Sequence, residues 1–237
     1  MRSDLEGKIG ELITTYNSVV KVVDKNATED EDRAYGGVVR SVKGKLQEHI
    51  TEEIIHAAWG SLGGKSERLS VDSKKHKIPI QRAYVLDIED KEIKQHILSN
   101  SSEYFFGLSV DKQVYIDGTL VIGIECKAYT ENAMIKRILV DFSLFKTIYP
   151  NISCYLFQLE SQLGGDYCEL QEVTFGSKST HTLMSYFPKV NLNVFTFLRG
   201  ERKADEPIHK EGYFKKLEEK QIEKALSLLA DDLRKYL

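Results

Sequence analysis

Glu125 and Lys127, two residues apart at the end of the apolar run Leu120–Lys127, are the strongest chemical signal in the chain. Side chains alternate along an extended strand. Leu120, Ile122, Ile124 and Cys126 therefore share one face, the core, and Val121, Gly123, Glu125 and Lys127 share the other. Two residues of strand separate Cα atoms by about 6.5–7 Å. A carboxylate and an ammonium at that spacing, beside a glycine that leaves open space on their face, suit a metal-and-base site. Glu125 would bind a divalent cation, and Lys127 would orient or deprotonate a water and steady charge building on a phosphate. The pair is also readable as a solvated cross-strand ion pair at an ordinary strand end.

A metal needs a second carboxylate, and the preceding strand offers Asp111 or Asp117. Register decides between them. A two-residue turn at Asp117-Gly118 would set Asp111 opposite Ile124, on the core side. A three-residue loop, Ile116-Asp117-Gly118, pairs residue 115 with 119 and sets Asp111 opposite Gly123, beside Glu125 on the same face. The three-residue loop is the expectation, with Asp117 serving the turn.

Val110-Asp111, then Glu125-Cys126-Lys127 fourteen positions later, then a helix and a strand, resemble the PD-(D/E)xK nuclease superfamily, which includes most type II restriction endonucleases. Val110 stands where that motif has proline. The resemblance covers residues 104–159 and implies that Asp111 and Glu125 are Mg2+ ligands and that Lys127 activates the attacking water. The family often adds a glutamate from an N-terminal helix. Glu48, four residues after Gly44 in a spacing that would let that helix face approach the sheet closely, is one candidate. Glu53, which falls inside the helix's apolar stripe, is the other.

These residues need elements to hold them. Leu5, Ile9, Leu12, Ile13, Tyr16, Val19 and Val20 recur at helical spacing over 2–22. Val39, Val42, Leu46, Ile50, Ile54 and Ala57 do so over 38–59, with Gly36-Gly37 opening that helix and Gly60, Gly63 and Gly64 ending it. Residues 61–82 read as a basic loop and 90–99 as a short helix. Residues 104–127 read as hairpin strands, followed by a helix over 131–148 capped by Thr130 and stopped by Pro150. Ile152–Leu159 and Val190–Leu198 read as strands, and 214–237 as a closing helix whose leucines pack either on the chain's own core or on a second copy. Strand, helix and strand through 119–159 form a crossover unit. The fold class is therefore α/β, a restriction-endonuclease-like central mixed β-sheet flanked by α-helices. One domain is expected over 1–237, with N-terminal helices to residue 60, a catalytic core at about 104–159 and C-terminal strands and helix over 160–237.

DNA contact needs groups that neutralise phosphate and read bases. Residues 61–82 carry a net charge of +4, and there Lys65, Arg68, Lys74 and Lys75 suit a flexible arm. Lys178 and His181 lie in a polar stretch between expected strands, and Arg199, Arg202 and Lys203 directly follow one. The run Glu29–Asp32 reads as a solvated acidic loop.

The chain of 237 residues has 33 Lys+Arg against 36 Asp+Glu, a net charge of −3, and 41% apolar residues. Its apolar runs are far shorter than the roughly 18 residues of a membrane span, and the acidic N-terminus lacks a secretory pattern. No membrane association and a prokaryotic cytoplasmic location are expected. Cys126, Cys154 and Cys168 fit neither a disulfide framework nor a zinc site, and the six histidines have no zinc-enzyme spacing. GxGxxG and Walker patterns are absent. Taken with the resemblance, these features give a Mg2+-dependent type II restriction endonuclease, a homodimer cutting double-stranded DNA at a short palindromic site. The rivals are a structure-specific repair or junction-resolving nuclease, and a catalytically inert nucleic-acid-binding domain.

Overall fold

The computed structural model describes residues 2–27, 33–164 and 177–237, apart from 204, 207 and 209. Cys168, His209 and the acidic run Glu29–Asp32 lie outside the described residues. In chain order the elements are α1 (Arg2–Ala27), α2 (Arg33–Ser61), β1 (Leu69–Asp72), β2 (His76–Pro79), α3 (Arg82–Leu86), α4 (Lys91–Ser99), β3 (Phe105–Leu108), β4 (Lys112–Ile116), β5 (Thr119–Glu131), α5 (Asn132–Ile148), β6 (Ser153–Gln162), α6 (Lys178–Ser185), β7 (Asn193–Thr196) and α7 (Glu219–Leu233).

The sheet is mixed and has the order β1-β4-β5-β6-β7, with β5 at its centre. β1 pairs antiparallel with β4 and β4 with β5, whereas β5, β6 and β7 are parallel. The parallel β5–β6 pair requires a crossover, and α5 provides it. Apolar side chains cover both faces of β5. On one face α1, α2 and α7 bury Tyr16, Ile50, Ile54, Trp59 and Leu229 against Ile122, Ile124 and Phe157. On the other, α5 buries Ile135, Ile138, Phe142 and Phe145 against Val110, Ile152 and Leu156. The apolar stripe of α7 is spent on the chain's own core, through Ile222, Leu226, Leu229 and Leu233.

Residues 61–82 are not a loop. Leu69-Ser70-Val71-Asp72 alternates apolar and polar residues and pairs with β4 as an edge strand, and His76–Pro79 pairs with β3 in a separate two-stranded sheet. The flexible arm is replaced by fixed backbone. Ser177–His181 is not a loop between strands either. Ser177 caps α6, its Oγ accepting the Thr180 N–H at 3.2 Å, so Lys178 and His181 stand on a helix. Thr130 caps nothing, because β5 continues through it to Glu131.

The β4–β5 turn also departs from expectation. Ile116 pairs with Thr119, leaving a two-residue turn in which Asp117 (φ 49°) and Gly118 (φ 76°) both take the left-handed conformation that such turns require. Further along, Tyr115 pairs with Leu120 but Val114 pairs with Ile122, so Val121 is an extra residue bulged out of β5. The bulge resets the alternation, and Val121 joins Ile122 and Ile124 in the α2-side core while Leu120 turns to the α5 side. Lys112 then pairs with Ile124, which brings Asp111 level with Glu125.

Candidate active site

The bulge decides where Asp111 stands. A two-residue turn without it would have turned Asp111 into the core; with it, the Asp111 carboxylate reaches the end of β5. Its Oδ2 accepts the Cys126 backbone N–H at 2.7 Å and the Lys127 Nζ at 2.8 Å. Lys127 Nζ also donates to Glu125 Oε2 at 2.6 Å and to the Cys126 carbonyl at 3.1 Å. One ammonium thus bridges two carboxylates supplied by adjacent strands.

Burial sharpens the electrostatics of this cluster. Glu125 is buried at 6% exposure, and its pKa is pushed up to about 8, first by desolvation and then by the charge of Asp111, against the pull of Lys127. Asp111 moves the other way. Desolvation raises it, but hydrogen bonds from Glu125, Lys127 and the Cys126 amide outweigh burial and hold it below the usual carboxylate range. These shifts favour the protonated form of Glu125 and the ionised form of Asp111. Lys127 loses stability as a cation through burial and regains more from its two acidic neighbours, so it stays charged.

The open space expected beside Gly123 does not exist. A Cβ there would meet Phe142 Cε1 at 3.0 Å, Ile152 Cδ1 at 3.1 Å and Val110 Cγ2 at 3.4 Å. The glycine serves close packing of α5 on β5. Gly44 is unconfined in turn, with nothing within 4 Å of its Cβ position, so it is not what brings α2 near the sheet. That approach comes from Gln47, Ile50, Thr51 and Ile54, all fully buried. Thr51 Oγ1 accepts the Cys126 thiol at 3.4 Å, which sets α2 directly over the site strand.

Glu48 is half-buried on the same helix. Its pKa is raised, mainly by desolvation and next by Asp111, with Lys112 and Lys127 opposing. It is an electrostatic neighbour of the cluster. Among the described residues no hydrogen bond or ion pair joins Glu53 to it, and Glu52 pairs outward with Lys112 at 2.7 Å. Asp117 lies at the far end of the hairpin, where Arg68 Nη2 holds it at 2.8 Å.

The positively charged residues expected to meet DNA divide by what already occupies them. Arg68 is engaged by Asp117 and by the carbonyls of Tyr236 and Leu237. Lys74 pairs with Asp72 and lies over the Tyr115 ring, Arg199 pairs with Glu218, and Lys203 pairs with Glu206. Lys65, Lys75, Lys178 and His181 are exposed. Arg202 stacks on Tyr129 at 3.9 Å and donates to Gln162. Tyr129 escapes a sequence reading that ends the strand at Lys127; continuing the two-residue period, 125, 127, 129, would have found it. Gln158, the β6 partner of Lys127, is fully buried with its amide on Thr196 at 3.0 Å and its Oε1 without a hydrogen bond.

The donor set fits a hard divalent cation. Carboxylate oxygens are what such ions select, and a cation would relieve the crowding of two adjacent acidic groups. Among the described residues no three His, Cys, Asp or Glu side chains converge as a metal cage. Asp111 and Glu125 could supply two ligands to such a cation, with its other positions left to water and phosphate.

A mixed α/β sheet whose central strand carries Glu125 and Lys127, with Asp111 beside them immediately before the adjacent strand, is consistent with the PD-(D/E)xK nucleases. No protein-family model matches the chain. It is, however, 52% identical over 237 residues, covering 98% of the chain and 99% of the relative, to the type II restriction enzyme DdeI of Desulfomicrobium norvegicum. The chain belongs to the type II restriction endonucleases, site-specific deoxyribonucleases acting on double-stranded DNA, which as a class need a divalent metal. Among the described residues no helix is long and apolar enough to cross a membrane.

Proposed function

We propose that this chain is a Mg2+-dependent restriction endonuclease that acts as a homodimer on a short palindromic site in the prokaryotic cytoplasm, with residues 1–237 working as one nuclease domain. The observation that carries the site assignment is the Lys127 ammonium held at 2.8 Å from Asp111 and 2.6 Å from Glu125. Asp111 and Glu125 hold the cation, with Glu48 as the third acidic group of the site. When bound, the cation polarises the phosphate and lowers the pKa of a ligated water. Lys127 orients the attacking water and steadies charge on the phosphate oxygens. A two-fold assembly matches a palindrome, because each subunit then meets the same half-site and cuts one strand. Lys65, Lys75, Lys178 and His181 are the side chains most open to a duplex, with Arg68, Lys74, Arg199 and Lys203 engaged by acidic neighbours in the free protein.

The test is digestion of unmethylated phage DNA by wild type and Glu125→Ala, with Mg2+ or with chelator. Discrete fragments from wild type plus Mg2+ alone are expected. Intact DNA in every lane overturns the reading, and fragments from Glu125→Ala overturn the site assignment.

A further inference from the structure

β5 does not end at the catalytic lysine. Tyr129 follows Lys127 by two residues on the same strand, about 6.5–7 Å further along. Arg202 lies over its ring with the guanidinium carbon 3.9 Å from the centroid. The segment that carries Arg202 is fixed to the sheet rather than loose. Glu201 bridges Ser161 in parallel register, the Arg202 N–H donates to the Ser161 carbonyl at 2.6 Å, and Lys215 Nζ donates to the carbonyls of Gly200 and Glu201 at 3.1 and 3.2 Å. The Arg202 Nη1 donates to Gln162 Oε1 at the end of β6.

Four other arginines face acids. Arg68, Arg137, Arg199 and Arg234 each pair with a carboxylate. Among the described residues no carboxylate lies within ion-pair distance of Arg202. Its neighbours, an aromatic face and an amide oxygen, hold the guanidinium in place without cancelling its charge. Stacking occupies the flat face and Gln162 one edge N–H, which leaves in-plane donors for a bidentate oxyanion. A side chain already fixed by its surroundings also loses little freedom on binding.

We infer that Arg202, set on Tyr129 and Gln162, binds the DNA phosphate adjacent to the one that is cut. The inference rests on the proposed cleavage centre at Asp111, Glu125 and Lys127. Tyr129, on which Arg202 rests, stands two residues from Lys127 along β5, about 6.5–7 Å between Cα atoms, which is of the order of one nucleotide step along a DNA strand and suits neighbouring phosphates. The contact is to the backbone, carries no base preference, and serves the ground state and the transition state alike.

Anisotropy titrations of a cognate duplex in chelator, across a series of salt concentrations, test this with wild type, Arg202→Ala, Arg202→Lys, Tyr129→Ala and Arg234→Ala as control. Arg202→Ala should weaken binding about tenfold and lower the slope of log K against log[salt] by about 0.9, the release expected for one phosphate contact. Arg202→Lys should keep the slope and lose part of the affinity, Tyr129→Ala should weaken binding, and Arg234→Ala should match wild type. In cleavage with Mg2+, Arg202→Ala should raise KM with little change in kcat. Wild-type slope and affinity in a normally melting Arg202→Ala overturn the inference. If that variant loses its melting transition, wild-type affinity in Tyr129→Ala overturns it instead. A wild-type protein that cuts no DNA overturns the cleavage reading, whereas one that cuts normally beside an unaffected Arg202→Ala overturns only the phosphate contact.

Discussion

Gly123→Ala measures how tightly α5 is packed on the strand that carries the site. The added Cβ would sit 3.0 Å from Phe142 Cε1 and 3.1 Å from Ile152 Cδ1, against about 3.5–4.0 Å for carbon atoms at optimal separation. Both neighbours must retreat by a few tenths of an ångström. Ile152 can yield by rotating its terminal methyl, but Phe142 is a ring with no exposed surface and nowhere to turn. Overpacking of this kind costs about 1–3 kcal/mol. Alanine returns about 0.4–1 kcal/mol by restricting the unfolded chain. At mid-range values the net loss is therefore about 1.3 kcal/mol, or a fall of roughly 3–5 °C in Tm for a chain of this size. Thermal unfolding followed by circular dichroism reads it directly. Phe142→Leu in the same chain removes the ring edge, so the double variant should lose less than the two single losses added together. Because Glu125 is two residues away, a shift of β5 also misplaces the site, and cleavage well below Tm should fall by more than the unfolded fraction explains. A Gly123→Ala protein as stable as wild type, with an additive double variant, refutes the close-packing argument.

Lys127→Met should abolish cleavage by at least about 100-fold while the protein still melts cooperatively, since its removal leaves two carboxylates without their cation; single-turnover assays and a melting curve separate the two effects. Glu48→Gln should lower cleavage at limiting Mg2+ more than at saturating Mg2+, as read from a metal titration of the rate. Arg68→Ala should leave DNA affinity and its salt slope unchanged while lowering Tm, because its guanidinium is committed to Asp117 and the C-terminal carbonyls. Asp232 accepts Tyr155 Oη at 3.0 Å and Lys235 Nζ at 2.7 Å. Burial raises its pKa but those bonds, with one from Ser153, bring it below the usual carboxylate value. Its stabilisation is then complete above about pH 4, the unfolded value, and is lost as pH falls through the lower folded one. Asp232→Ala should cost about 1–3 kcal/mol at neutral pH and flatten the acid limb of a urea-unfolding series.

The helices and the crossover were legible because burial writes a 3.6-residue or two-residue period into the chain, and Leu46, Ile50 and Ile54 or Ile135, Ile138 and Phe142 carry it without interruption. The Asp117-Gly118 pair announced its turn because few residues accept two consecutive positive φ angles. What the sequence did not announce was Val121. A bulged residue inside an apolar run buried on both faces leaves no compositional mark, since Leu120, Val121 and Ile122 are equally at home on either side. Expectation therefore placed Asp111 on the correct face by the wrong register, with a three-residue loop standing in for the bulge. The error over 61–82 has another cause. Strands of four residues such as Leu69–Asp72 and His76–Pro79 show barely two alternations, and their lysines dominate a charge count that says nothing of backbone pairing.

The meeting of Asp111, Glu125 and Lys127 was legible because buried charge is costly. An apolar central strand has no structural use for a glutamate and a lysine near its end, so their presence there calls for partners, and Asp111 meets that need across the β4–β5 pair. Burial in the free protein balances Lys127 against Asp111 only by favouring the neutral form of the Glu125 carboxyl. A cation beside the two carboxyls would favour ionised Glu125 in place of its proton. On this argument, Mg2+ should raise the Tm of wild type and leave that of an Asp111→Asn, Glu125→Gln double variant unmoved, whether or not DNA is present.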